Sequence, residues 1–237
     1  MSERPGPVGP WQDASVVSIH AETATAKTFR LRLSRPKTLM AGQHFIIRLT
    51  APDGYTAQRS YSIASPPGDL PEIEMTIERL PEGEVSGFLH DEVGVGDELE
   101  VRGPIGGWFV WDGDRPALLV GGGSGIVPLM AMCRHARRFG KPELIRMAVS
   151  VRTPSDLYYK DELEDSGVTV VYTRQAPTDS VRPPGRLGRA DLAGLLDPDA
   201  TVYVCGSTGF ADAATELVME IGAPVDRIRV ERFGPSG

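Results

Sequence analysis

A glycine-rich turn that joins an apolar run to an amphipathic segment constrains the fold of this chain more than any other stretch. Residues 118–120 form a short apolar run of the kind found in buried parallel strands. The glycines at 121–123 and 125 let the backbone turn tightly and approach a ligand. From Ile126 the apolar spacing becomes helical, and Pro128 suits the first turn of a helix. A strand, a glycine turn and a helix N-terminus together predict an anion site, most often for phosphate.

The same turn departs from two familiar nucleotide-binding motifs. Residues 123–128 follow the pattern G-x-G-x-x-P, with proline where the dinucleotide fingerprint has its third glycine. No Gly-Lys-Ser/Thr sequence follows, as a P-loop requires. On this stretch alone, a glycine turn with a purely structural role is therefore an open alternative.

Length, charge and cysteine count exclude several classes of protein. With 237 residues the chain has room for two domains, and a net charge of −7 argues against nucleic acid or an anionic membrane as the main partner. Cys133 and Cys205 are too few for a four-thiolate iron–sulfur cluster or a structural zinc site. The scattered histidines predict no metal site either. Residues 1–10 lack the apolar segment of a signal peptide, so a cytoplasmic location is expected.

The hydrophobic pattern divides the chain into two parts joined by a short linker. A flexible tail is expected at 1–10. Residues 11–111 show short strands of period two, which are typical of an antiparallel β-barrel. The polar segment 112–116 ends in proline and is the predicted linker. Residues 117–237 alternate between strand and helix, which indicates a doubly wound parallel sheet. Helices are predicted near residues 85–92 in the first part and 126–139, 157–165, 189–196 and 210–221 in the second.

Two features of the first part suit a nucleotide or flavin. Residues 58–65 are predicted to place Arg59, Tyr61 and a serine at alternate positions, hence on one face of a strand. An amphipathic strand with a surface salt bridge explains the same spacing. Ser86, near the start of the short helix, suggests N–H groups available to a pyrophosphate, although ordinary capping explains it equally well.

Five short motifs, taken in order, resemble those of the ferredoxin–NADP reductase-like flavoproteins across nearly the whole chain, from Val16 to Phe233. They lie at residues 59–62, 83–89, 103–106, 123–128 and 205–207. The resemblance implies an N-terminal flavin-binding β-barrel, a following nicotinamide-nucleotide domain and a flavin ring at the cleft between them.

The same resemblance implies roles for individual residues. Ser62 would bond the N5 edge of the flavin and Cys205 would lie beside the nicotinamide C4, and these two are the predicted catalytic residues. Arg59 would pair with the flavin phosphate and Tyr61 would lie against the ring. Sequence and resemblance together assign cofactor binding to Arg59, Ser60, Tyr61, Ser62, Ile77, Glu84, Val85, Ser86, Gly123, Ser124, Gly125, Pro128, Arg152, Thr173, Arg174, Cys205, Gly206 and Phe233.

The preferred dinucleotide is predicted from arginines that follow two strands. Arg152 and Arg174 can each bind an adenosine 2′-phosphate through the planar guanidinium, and family members that use NADPH place Ser or Thr and Arg at the position of Thr173 and Arg174. Arg182 and Arg186 are expected to assist from a nearby loop. The alternative is that these arginines are solvated surface, so NADPH is favoured and NADH stays open.

The predicted function is transfer of electrons from NADPH through bound FAD, by hydride to flavin N5, to a separate redox protein such as a ferredoxin or an oxygenase component. One alternative is a reductase of free flavin, and another is a regulatory flavoprotein without turnover. Unlike better-known relatives, the chain is expected to carry no iron–sulfur domain, and it lacks the C-terminal tyrosine of plant-type members. Phe233 either shields the flavin or belongs to a tail that frays.

Overall fold

The first half of the chain is an antiparallel barrel. The computed structural model describes residues 9–68, 71–164 and 166–234, so most of the tail expected at 1–10 lies outside the described residues. The strands of this half are β1 (Gln12–Ala21), β2 (Ala26–Leu33), β3 (His44–Thr50), β4 (Thr56–Ser62), β5 (Glu72–Glu78) and β6 (Glu98–Ile105), and its helix is α1 (Glu84–Asp91). They form one sheet in the order β4-β3-β6-β1-β2-β5. A bridge between Ile63 and Met75 brings the two edge strands together, so the sheet closes as predicted.

Alternating side chains fill the barrel. Phe29 and Leu31 on β2, Phe45 and Ile47 on β3 and Met75 on β5 are fully buried. On β2 the alternating Arg30 and Arg32 face outward, as the two-residue period of a strand requires. The interior cluster is therefore built by the strand pattern that the sequence shows.

The second half of the chain is a parallel sheet with helices on both faces. Its strands are β7 (Ala117–Gly122), β8 (Ile145–Val151), β9 (Thr169–Tyr172), β10 (Thr201–Ser207) and β11 (Ile228–Phe233), in the order β11-β10-β7-β8-β9. Its helices are α2 (Ile126–Arg138), α3 (Lys160–Glu164), α4 (Arg189–Leu192) and α5 (Thr208–Glu220). Residues of α2 pack on one face, whereas α4 and α5 pack on the other. The predicted doubly wound fold is confirmed.

Two helices are shorter than the sequence predicts. In the segment expected to be helical from residue 157, Tyr159 has a left-handed φ of +54°. Among its described residues, only Lys160–Glu164 is helical. An α-helix cannot pass through a left-handed residue, which explains the late start. The helix expected over 189–196 ends at Leu192, two residues before Gly194.

The two halves share one apolar cluster. Ala41, Ala64 and Trp111 from the barrel side pack in the same cluster as Met130 and Cys133 of α2. None of the helices described here is long and apolar enough to cross a membrane.

Candidate functional site

A cavity of about 460 Å³ lies where β3 and β4 of the barrel meet the end of β11. We call it the cleft cavity. Its lining residues are His44, Ile46, Gln58, Arg59, Ser60, Ser62, Glu231, Arg232, Phe233 and Gly234. The parallel strand β11 contributes its carboxyl end, which is where doubly wound sheets bind their ligands.

The register of β4 corrects one prediction from the sequence. Ser62 lies opposite His44 and lines the cleft cavity, whereas Tyr61 lies opposite Phe45, a fully buried barrel residue. The predicted common face for arginine, tyrosine and serine is therefore wrong for Ser62, because consecutive strand residues point to opposite faces. Arg59 is on the face of Tyr61, yet its long side chain still reaches the cavity. Burial raises the pKa of Tyr61, which keeps its hydroxyl protonated.

Helix α1 begins beside β4 with its first turn partly buried. Ser86 is the third residue of the helix, and its hydroxyl accepts a bond from the Leu80 amide at 3.2 Å and donates to the Gly83 carbonyl at 3.4 Å. The Ser86 hydroxyl therefore bonds the backbone at the start of its own helix. The backbone N–H groups of the first turn of α1, including those of Glu84 and Val85, have no acceptor within the helix and are available to a ligand.

Ile77, like Val85 at the start of α1, is a predicted binding residue whose side chain the structure places in the barrel core. Its side chain is 1% exposed and packs inside the barrel. Because its side chain is sealed in the core, Ile77 can meet a ligand only through its backbone. The assignment of Ile77 to cofactor binding stays a prediction.

The glycine turn lies directly against the end of β10. Gly123–Gly125 forms a short 3₁₀ turn, and Gly123 has the left-handed φ of +54°. A Cβ atom on Gly125 would stand 2.2 Å from the carbonyl oxygen of Cys205 and 2.6 Å from the amide nitrogen of Gly206. Only glycine fits at this contact, so the two motifs that were 80 residues apart in the sequence touch through their backbones. Ser124 lies inside this turn, and Pro128 is buried in the first turn of α2.

Cys205 is fully buried at the end of β10, beside Gly121 of β7 and Glu231 of β11 in register. Burial, with a further effect from the Glu231 carboxylate, raises the pKa of the Cys205 thiol well above its usual value. The thiol is therefore neutral at physiological pH. It can position a ligand, but it is not a thiolate nucleophile.

Glu231 is a site residue that the sequence analysis missed. It lines the cleft cavity, and its Oε2 is buried without a hydrogen-bond partner among the described residues. Burial raises the pKa of this carboxyl to about 7. A buried acid without a partner, at the carboxyl end of a parallel strand, is typical of a group that meets a ligand or a proton. The available signal was an acidic residue near the carboxyl end of the last strand, two positions before Phe233.

Phe233 lines the cleft cavity beside Glu231, two residues further along β11. Its ring is half-buried and packs against the α2 cluster while lining the cleft cavity. The structure thus brings Ser62, Glu231 and Phe233 to one cavity, with Cys205 one strand away.

The arginines considered for the 2′-phosphate have different surroundings. The amide of Arg174 donates to the carbonyl of Arg152 at 2.9 Å, and both side chains are exposed at the ends of β9 and β8, next to Thr173. Arg182 instead forms a two-pronged pair with Asp191 at 2.7 and 2.9 Å and bonds the Arg186 carbonyl at 2.8 Å. Its guanidinium holds its own loop together, so the expected assistance from Arg182 is not supported.

Comparison with known proteins fits this geometry. A model of the oxidoreductase FAD-binding domain matches residues 13–110, and a model of the oxidoreductase NAD-binding domain matches residues 119–216. The chain belongs to the ferredoxin reductase family. The family resemblance inferred from the five motifs is thereby confirmed.

Relatives of this reductase-family chain include components of oxygenase systems. It is 33% identical over 193 residues to the reductase component of propane 2-monooxygenase from Rhodococcus jostii, covering 76% of this chain and 52% of that protein. It is 28% identical over 231 residues to the ferredoxin–NAD(P)⁺ reductase component of the naphthalene 1,2-dioxygenase/salicylate 5-hydroxylase systems from a Ralstonia species, covering 94% and 69%. The chain therefore spans about half to two thirds of the length of these relatives.

A solved structure has the same architecture. The ferredoxin reductase in carbazole 1,9a-dioxygenase matches with a TM-score of 0.80 and 28% identity, over 97% of this chain and 71% of that chain.

The residues of the cleft fit an FAD group, as the family requires. The volume of the cleft cavity lies within the range of cofactor pockets, roughly 300–1,000 Å³. The unpartnered Glu231 carboxyl offers a polar contact inside it. The first turn of α1 supplies N–H groups for a pyrophosphate.

Titration of Glu231 predicts a pH-dependent stability for the protein without cofactor. Its folded-state pKa of about 7 exceeds the usual 4.5, so the folded state holds a proton that the unfolded state has lost. The free energy of unfolding should therefore fall as pH rises from 4.5 towards 7, by up to about 3 kcal/mol. Glu231→Gln should remove most of this fall in urea unfolding followed across pH 4.5–8. The exposed Glu220→Gln is the control, and a parental slope in Glu231→Gln would contradict the assignment.

Proposed function

We propose that this chain oxidises NADPH and passes the electrons through bound FAD to a separate redox protein. The observation that carries the proposal is the meeting of Ser62, Glu231 and Phe233 in the cleft cavity, beside Cys205 and the glycine turn. The relatives named as reductase components of oxygenase systems support an acceptor of the ferredoxin or oxygenase-component class.

The residues of the chain divide this task between the two halves. Arg59 and the first turn of α1 would hold the phosphates of FAD, while Ser62 would donate to or accept from the reacting edge of the ring. The N–H groups of Gly123–Gly125 and the start of α2 would bind the pyrophosphate of the nucleotide. Cys205 and Glu231 would bound the space in which the nicotinamide meets the flavin. Bound FAD supplies the chemistry itself, since it takes two electrons from the nucleotide and releases them singly.

A neutral thiol and a carboxyl that titrates near pH 7 suit a site that orients its ligands rather than one that attacks them with a nucleophile. Because the Cys205 thiol stays protonated, it would contribute shape and a weak S–H donor. The Glu231 carboxyl, with its pKa near 7, would hold or release a proton at Oε2 as the charge in the cleft changes. Orientation of two reactants is the main contribution that a protein makes to such a transfer.

We further infer two domains at 11–111 and 117–237 joined by the segment 112–116, and a cytoplasmic location. The last barrel strand ends at Ile105 and the first strand of the parallel sheet begins at Ala117, which supports a junction between them. The two cysteines are buried and unpaired, which suits a reducing compartment.

The purified protein tests the proposed function directly. We expect it to be yellow, to release FAD on heating, and to lose its yellow colour when NADPH is added without oxygen. Chromatography of the released flavin distinguishes FAD from FMN. A folded but colourless protein, or a bound flavin that neither NADPH nor NADH reduces, would contradict the proposal.

A further inference from the structure

Arg134 and Tyr159 connect the parallel-sheet half to the barrel, away from the cleft cavity. Arg134 lies on α2, and Tyr159 directly precedes α3. Their partners in the barrel half are Ala64, Glu74 and Thr76. We call these five residues the interdomain clamp.

Arg134 bridges the two halves with one guanidinium group. Its Nη1 donates to the Ala64 carbonyl and to Glu74 Oε2, both at 2.9 Å, and its Nε donates to Glu162 Oε2 at 3.1 Å. The side chains of Arg134 and Glu74 are only 16% and 19% exposed, so the charge-assisted bond between them is partly shielded from water. One planar group with fixed donor directions therefore sets the position of α2 relative to two barrel residues at once.

Tyr159 reaches into the barrel from a left-handed backbone conformation. Its φ of +54° is uncommon for a residue with a Cβ atom, and such conformations persist where surrounding contacts enforce them. Its amide donates to Glu22 Oε2 at 3.0 Å, and its hydroxyl donates to Thr76 Oγ1 at 2.5 Å. The Arg134 guanidinium carbon lies 4.9 Å from the centre of the Tyr159 ring, so the two clamp residues also support each other.

The hydroxyl of Tyr159 is the first donor in a directed chain of hydrogen bonds that runs through Thr76 and Thr28 to Glu22. Thr28 donates its only hydroxyl proton to Glu22 Oε1 at 2.7 Å, so Thr76 must donate to Thr28 at 2.6 Å, and Tyr159 to Thr76. Glu22 also accepts the Tyr159 amide, which closes the ring. Each hydroxyl in the network donates in one direction only, so the network favours a single position for Tyr159.

The clamp adds direction to an interface whose shared cluster is apolar, as do the bonds from Arg138 to the Pro67 carbonyl and from Tyr203 to the Val110 carbonyl. The shared cluster of α2 and barrel residues attracts the two halves without fixing their register, because apolar contact is non-directional. The clamp joins two chain positions close to the chemistry. Ala64 follows Ser62 by two residues, and α2 begins directly after the glycine turn.

We propose that the interdomain clamp fixes the glycine turn relative to β4, so that Arg134 and Tyr159 are positioning residues for electron transfer from nucleotide to flavin. The last part of this inference rests on the proposed function. Neither residue touches the cleft cavity, so each acts through the placement of other residues.

Arg134→Met, in the FAD-containing full chain, is the principal test. The substitution leaves Glu74 paired with Arg30 and Glu162 paired with Arg137, so it removes the bridge without stranding a charge. Arg137→Met is the matched control, because Arg137 lies on the same helix and bonds Glu162 rather than the barrel. We expect the limiting rate of anaerobic flavin reduction by NADPH to fall about ten- to a hundredfold, since small misplacements of reactants are costly.

Two further readouts separate positioning from general damage. The dissociation constant for NADPH and the FAD content should stay within about threefold of the parent, because the binding groups are intact. Amide hydrogen exchange at Ala64 and in the glycine turn should become at least about tenfold faster in Arg134→Met alone. Equal rates and equal exchange in Arg134→Met and Arg137→Met would overturn the proposal.

Tyr159→Phe keeps the inference testable where Arg134→Met fails to fold. It retains the ring and removes only the bond to Thr76, and we expect a fall of about three- to tenfold in the same rate. An unchanged rate and unchanged exchange would overturn the role of Tyr159. If the parent itself is not reduced by NADPH or NADH, the proposed function fails, and the exchange comparison alone decides whether the clamp couples the two halves.

Discussion

Replacing Ser62 or Cys205 by alanine is expected to slow the anaerobic reduction of bound FAD by NADPH about a hundredfold or more. Ser62 lines the cleft cavity from the barrel, and Cys205 is buried on β10 beside Glu231. Ser62→Ala would remove a hydroxyl from the wall of the cavity, and Cys205→Ala would remove the thiol beside Glu231, which lines it. Stopped-flow absorbance at saturating NADPH measures the effect.

Two other variants show whether the loss is specific. Cys133→Ala removes the second buried cysteine, which lies on α2 with its thiol 3.6 Å from Met147 Sδ of β8. It should leave the reduction rate close to that of the parent. Arg59→Ala should weaken FAD retention with less effect on the rate in molecules that keep the cofactor. Parental rates in both Ser62→Ala and Cys205→Ala would remove these residues from the site. Loss of flavin in Cys205→Ala would mark that residue as structural.

Arg174→Ala is expected to raise the Michaelis constant for NADPH about ten- to a hundredfold while changing that for NADH little. A charge-assisted bond to a phosphate is worth about 1.5–3 kcal/mol, and only NADPH carries the 2′-phosphate. The Arg174 side chain is exposed at the end of β9 and is free of the loop contacts that occupy Arg182. Steady-state kinetics with both nucleotides measures the ratio.

Arg146→Ala is the matched control for Arg174. Arg146 is exposed near the start of β8, at the opposite end of the sheet from the proposed phosphate site, and it bonds the Glu143 and Ile145 carbonyls. We expect no change in the preference for NADPH over NADH. An equal effect of Arg174→Ala on both nucleotides would contradict a phosphate contact at Arg174. Arg152, whose carbonyl accepts a bond from the Arg174 amide, would then be the next candidate.

Local patterns in the sequence were enough to predict both halves of the fold. Alternation along β2 and β5 and the continuous apolar run of β7 report burial directly, because strand side chains repeat every two residues. The glycine turn was also predictable, since glycine adopts the left-handed φ of Gly123 without steric cost. These are properties of a few neighbouring residues, and the sequence by itself determined them.

The details of the site depended on contacts between distant segments. Whether Glu231 is solvated or buried beside Cys205 depends on the pairing of β10 with β11, which no local pattern encodes. The position of Ser62 on the cavity face follows from its pairing with His44, and the use of Arg182 within its own loop follows from Asp191. Burial, pKa and availability for a ligand arise from neighbours that folding brings together, so only the tertiary structure decided them.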